Sequence, residues 1–175
     1  MIRTQSDHAN TELVQELTEN TVTGGVSMIN RALAQLWTGK EEHELLMHDW
    51  YLGLLAAAFG NLVYIDKPGE LYRQHSNNVL GARTLRKRVK NWVRPHVLFA
   101  KYWKLIKDSQ TQARNLLVLP LTAENRELIE NFVTIMEVPF KERWRRIRRY
   151  GYRKNRTFHT LVFTSLILTK FAYKE

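Results

Sequence analysis

The stretch MHDWYLGLLAAAFGNLVYIDKP, residues 47–68, decides how the rest of the chain is read. Asp49 precedes ten residues, Trp50 to Phe59, that carry no charge, and a helix that is apolar on every side has to be buried on every side. Gly60 stands where a helix-ending glycine is expected. Residues 62–66, LVYID, then read as a buried strand, residues 67–69 as a turn, and residues 70–75, ELYRQH, as a second extended piece.

Upstream, residues 1–20 are polar, with a short helical pattern around Leu13, Val14 and Leu17. Thr21–Thr23 is a brief β-branched run broken by Gly24 and Gly25. Ser27 is placed to cap a helix from about Met28 to Trp37, with Ile29, Leu33 and Leu36 at helical spacing. The order strand, helix, helix, strand predicts the second half of an α/β domain.

From about Ala82 the pattern turns helical, and the chain divides there into residues 1–82 and 83–175. Leu85, Val89, Trp92 and Val93 form an apolar stripe, Pro95 opens a further helix, and Thr122 starts another through about Glu137. A last apolar segment, residues 157–169, is only 13 residues long. Charge divides at the same place. Residues 1–82 hold 5 Lys/Arg against 10 Asp/Glu, whereas residues 83–175 hold 22 against 7, which together give the net charge of +10. An acidic, compact half followed by a basic half implies an anionic partner for the second.

Composition excludes several classes. There is no cysteine, which removes disulfide scaffolds, thiolate metal sites and cysteine nucleophiles. No apolar run is long enough for a membrane-spanning helix, and no secretory leader is seen, so the expected compartment is the cytoplasm. Neither a dinucleotide-type nor a Walker-type glycine loop occurs, nor an Asp-x-Asp pair for a metal-diphosphate.

Among groups that could carry chemistry, Asp49 has two readings that are compatible. It can cap the buried helix, and a carboxylate at a helix N-terminus stays ionised, which suits a general base. His75 lies in a polar run with Arg73, Gln74, Asn77 and Asn78, but no second ligand stands at metal-site spacing. Gly24 and Gly25 read as a turn, or as a place of close backbone approach. Residues 141–156 hold nine basic residues against Glu142, interleaved with Trp144, Tyr150 and Tyr152. They admit a solvated face, a nucleic-acid patch or a membrane-surface element. The apolar segment that follows favours an anionic membrane surface over nucleic acid.

Taken together, TVTGGVSMINRAL, MHDWYLGLLAAAFGNLVYIDKP and LYRQHSNNVLGA resemble bacterial family 2 glycosyltransferases, closest to rhamnosyltransferase-like members of polysaccharide and cell-wall biosynthesis. The likeness is strong over about residues 20–82 and weaker in the basic tail. It implies the C-terminal half of a GT-A catalytic domain of α/β class, followed by a mainly helical, membrane-proximal tail. It also implies inverting transfer of a sugar, with rhamnose from dTDP-rhamnose as one donor, onto a glycan or lipid-linked acceptor. By this resemblance Asp49 is the catalytic base, and Thr23, Gly24, Gly25, His48 and Trp50 shape the acceptor and sugar site. Tyr72, Arg73, Gln74 and Asn78 close over the donor diphosphate, and His75 meets its divalent metal, Mg²⁺ or Mn²⁺. Gly25 stands where a cysteine is common and Tyr51 where a second tryptophan is common. The βαβ donor-binding half of the family is not recognised in these residues. The expectation is therefore the acceptor half of a truncated or split enzyme, inactive alone and peripheral on the inner face of the plasma membrane, with a separately encoded donor-binding half as one candidate partner. Two non-catalytic alternatives are a basic helical module for nucleic acid and a partner-dependent pseudoenzyme half.

Overall fold

A computed structural model describes residues 11–37, 45–67 and 95–173. The described chain forms seven α-helices: α1 (Leu13–Glu16), α2 (Arg31–Trp37), α3 (His48–Phe59), α4 (Pro95–Arg114), α5 (Ala123–Val133), α6 (Phe140–Tyr150) and α7 (Thr157–Thr169). A single 3-10 turn, Gly24–Val26, lies between α1 and α2.

No strand occurs among the described residues, which overturns the α/β expectation and with it the GT-A half-domain. A strand needs a neighbour to take its backbone hydrogen bonds, and among the described residues neither candidate pairs with one. Thr21–Thr23 runs extended beside α1 and α3, and Val22 bonds through its N–H to the Asn20 side chain rather than to a second strand. Residues 62–66 have no regular secondary structure and lie on the surface, with Val63 75% and Ile65 65% exposed. The β-branched composition was real, but no sheet is there to receive it. The second extended piece, residues 70–75, lies outside the described residues, as do residues 83–94 with their apolar stripe.

Helix α3 organises the packing. From Asp49 to Phe59 no residue is exposed, and Tyr51, Leu54 and Leu55 are fully buried, as the charge-free run requires. It packs on α1, α2 and α4, while α5 packs on α4, α6 on α5, and α7 on α6. Gln112 of α4 donates to the Met47 carbonyl (2.8 Å) at the start of α3, and Asn125 of α5 donates to the Ala58 carbonyl (2.8 Å) at its end. Leu17, Ile106, Leu116, Phe132 and Ile167 continue the same core, which thus draws on both sides of residue 82.

Several helix boundaries follow the local chemistry. Thr122 caps α5 by accepting from the Asn125 N–H (3.2 Å), and α4 begins at Pro95, where a missing N–H costs nothing. Gly60 closes α3 as expected. Helix α2 starts later than Ser27 predicts. Asn30 accepts from the Leu33 N–H (2.9 Å) and acts as the cap, while Ser27 turns back to the Gly24 carbonyl (3.1 Å). Gly151 ends α6 with φ +69°, the left-handed conformation that favours glycine.

Gly53 lies on the face of α3 that meets α1. A Cβ there would stand 2.8 Å from Glu16 Oε2 and 2.8 Å from Val22 Cγ2. Gly53→Ala is therefore expected to lower stability by about 1–3 kcal/mol despite its better helix propensity, read as a lower urea midpoint at unchanged slope.

Candidate functional site at the start of helix α3

Two of the three motifs meet at the N-terminus of α3. The N-cap position is Met47, not Asp49, so the expected cap is corrected: Asp49 sits within the first turn. Its Oδ1 accepts from the Trp50 backbone N–H (2.8 Å) and from Asn20 Nδ2 (3.3 Å). The Thr23-Gly24-Gly25 turn lies against the same point. A Cβ on Gly24 would stand 3.0 Å from His48 Nε2 and 3.5 Å from Asp49 Cβ, so the turn approaches as closely as it does because that residue has no side chain.

Of the residues flanking Asp49, His48 is exposed and Trp50 is buried, donating its indole N–H to the Glu16 carbonyl (2.7 Å). Trp50 is thus a core residue that holds α3 on α1, and only His48 faces outward beside Thr23 and Gly25, which are also exposed. Tyr72, Arg73, Gln74, His75 and Asn78 lie outside the described residues. No group of three or more His, Asp or Glu able to hold a metal ion occurs among the described residues.

Glu16 was not singled out by the sequence reading. It is fully buried, accepts a hydrogen bond from the Thr21 hydroxyl through Oε1, and has no partner for Oε2. Burial pushes its carboxyl up to about 7; the Thr21 hydrogen bonds oppose this, and the charges of Glu19 and Asp49 add to it. The signal was present in the spacing. Glu16 shares a helical face with Leu13 and Leu17, where an acid has to be neutral or paired. Next to it, Asn20 reaches Asp49 and Thr21 reaches Glu16, so one short loop ties both carboxyl groups together.

The far side of α1 is latched by the turn between α6 and α7. Thr18 donates to the Arg153 carbonyl, Lys154 Nζ donates to the Thr18 carbonyl, and the Asn155 N–H donates to Glu19 Oε2 (3.0 Å). Burial lowers the Lys154 ammonium from its usual range, and the Glu19 charge counters that.

These contacts change how the basic run 141–156 is understood. Arg143 is buried and donates to the Val138 (2.7 Å) and Leu168 (2.9 Å) carbonyls, fastening the end of α7 to the start of α6. Arg146 donates to the Asn131 carbonyl (3.3 Å) and the Thr134 hydroxyl (2.9 Å) and reaches Glu142. Arg149 pairs with Glu127 and Arg145 with Glu142. Several of the nine cations therefore work inside the fold rather than on a ligand.

No family model, curated protein or solved structure matches this chain.

Two outcomes follow from these contacts. A folded carboxyl near 7 against an ordinary 4.5 binds its proton more tightly than the unfolded chain does. The stability this gives is complete below pH 4.5 and is lost as pH rises through about 7. Glu16→Gln, which keeps the shape and stays neutral, should match the native chain in acid and exceed it by about 3 kcal/mol above neutrality, seen in urea titrations across pH. Arg143→Ala should cost about 3 kcal/mol by orphaning two buried carbonyls, whereas Arg148→Ala at an exposed position should change the thermal midpoint little, within about 0.5 kcal/mol.

Proposed function

We propose that the Asp49 site is the acceptor side of a sugar-transfer centre. The observation that carries this reading is the convergence of the Thr23-Gly24-Gly25 turn with His48 and Asp49, residues distant in sequence that the resemblance to family 2 glycosyltransferases assigns to one site. The reading needs no sheet in this chain. It asks only for a half-buried carboxylate beside an exposed, backbone-lined surface.

In the proposed reaction an acceptor hydroxyl attacks the anomeric carbon of a nucleotide-activated sugar, rhamnose being one. The new C–O bond forms as the bond to the diphosphate breaks, the nucleoside diphosphate leaves, and the hydroxyl proton passes to the Asp49 carboxylate. Asn20, donating to Oδ1, holds that carboxylate in place. The nucleotide and its divalent metal would be held by a donor-binding unit beyond the described residues. His75 and the residues around it would be this chain's contribution to that unit. The same reading puts the acceptor, a glycan or lipid-linked sugar, at the inner face of the plasma membrane.

The test is transfer from dTDP-rhamnose to a rhamnose-containing glycan, followed as released nucleoside diphosphate. The chain is supplied alone and together with the product of the neighbouring upstream reading frame. The expected result is transfer with the partner only, lowered about 10²–10⁴-fold by Asp49→Asn. Transfer that survives Asp49→Asn, or no transfer in either arrangement, would overturn the reading.

A further inference from the structure

Helix α7 carries no Asp, Glu, Lys or Arg, and on its uncovered side Phe158 and Leu161 stand with Thr157, Ser165 and Thr169. Phe158 is 69% exposed and Leu161 65%, and Phe171, just past the helix end, is 58% exposed. An open groove of about 480 Å³ between α4 and α7 is lined by Leu161 and Phe171 together with Phe99, Val162, Leu166, Ser165 and Thr169. Large aromatic and aliphatic side chains in the open mark a contact surface.

The charge around that face identifies its occupant. Residues 143–173 contain nine Lys/Arg and not one Asp or Glu. Arg156 precedes α7 and Lys170 follows it, so the apolar face is bracketed by cations. A second copy of the chain, also at +10, would bring the same cations against these. Nucleic acid would be drawn by the charge but has no use for Phe158 and Leu161 facing outward. An anionic lipid surface satisfies both features, with acyl chains for the aromatic and aliphatic groups and headgroups for the cations. At 13 residues α7 is about 20 Å long, too short to cross a hydrocarbon core of about 30 Å but suited to lie along its boundary. No helix among the described residues is long and apolar enough to cross a membrane.

We infer that the outer face of α7, together with Phe171 and the groove against α4, is a docking surface for an anionic membrane interface. The contact is thereby moved from the arginines of α6, several of which are engaged within the fold, to the helix that follows them. This inference rests on the expectation of a membrane-facing C-terminal half and is independent of Asp49 chemistry. Loss of membrane binding would leave the Asp49→Asn comparison on a soluble glycan unaffected.

Flotation of the chain on vesicles of phosphatidylcholine, with and without phosphatidylglycerol, tests it. Binding is expected on the anionic vesicles, weaker at high salt, and lowered about tenfold or more in Phe158→Ser/Leu161→Ser at unchanged helix content. Phe171→Ser should weaken binding by itself, while Val118→Ser, at a similarly exposed apolar position on another element, should not. The inference is overturned by any of three results: equal binding of the double variant and the native chain, binding to duplex DNA without binding to vesicles, or a dimer that the double variant dissolves.

Discussion

Burial of α3 is the constraint on which the other helices depend. Eleven consecutive residues without exposure, from Asp49 to Phe59, cannot be achieved by a helix lying on a surface. Partners are needed around it, and α1, α2 and α4 supply them. Burial also creates a polar problem at the far end, because the last carbonyls of a helix have no partner inside it. The Asn125 amide resolves this at Ala58, and the Gln112 amide braces the opposite end at Met47. Those two bonds fix α4 and α5 along the helix as well as around it. What remains outside is His48, with Asp49 half-buried beside it, so the candidate site lies at the start of α3, where the covering ends.

The same constraint explains the state of Glu16. An apolar helix packed on α1 leaves little water for a carboxyl on the contact face. Gly53 makes the room that an alanine would occupy, and Thr21 supplies a hydrogen bond, but the second oxygen stays unpartnered. Retaining the proton costs less than burying the charge, all the more with Asp49 nearby. The two acids linked through the Asn20–Thr21 loop thus sit in different surroundings: Glu16 buried, with its carboxyl pushed up to about 7, and Asp49 half-buried in the first turn of α3.

In the basic half, charge and structure are less separable than composition implies. Arg143, Arg146 and Lys154 act as donors to backbone carbonyls, and the turn carrying Lys154 closes the C-terminal helices onto α1. Cations in such positions contribute to the long-range field while being committed to local bonds. The outward side of α7 mixes the apolar Phe158 and Leu161 with Thr157, Ser165 and Thr169, between Arg156 and Lys170.

The sequence by itself determined where helices begin and end in most of the chain. Pro95, Thr122 and Gly60 mark ends by their local chemistry, and the charge-free run after Asp49 required burial before any partner was known. It also brought forward the two motifs that meet at Asp49. Local chemistry did not decide whether β-branched segments would find neighbours, since pairing depends on chain that lies elsewhere. Residues 62–66 therefore read as a buried strand and are exposed instead. Nor could residue type show which arginines would reach carbonyls many residues away, or that the acid on the apolar face of α1 would keep its proton. Those outcomes belong to tertiary structure, because desolvation and hydrogen bonding depend on what packs against a group and not on its neighbours in sequence.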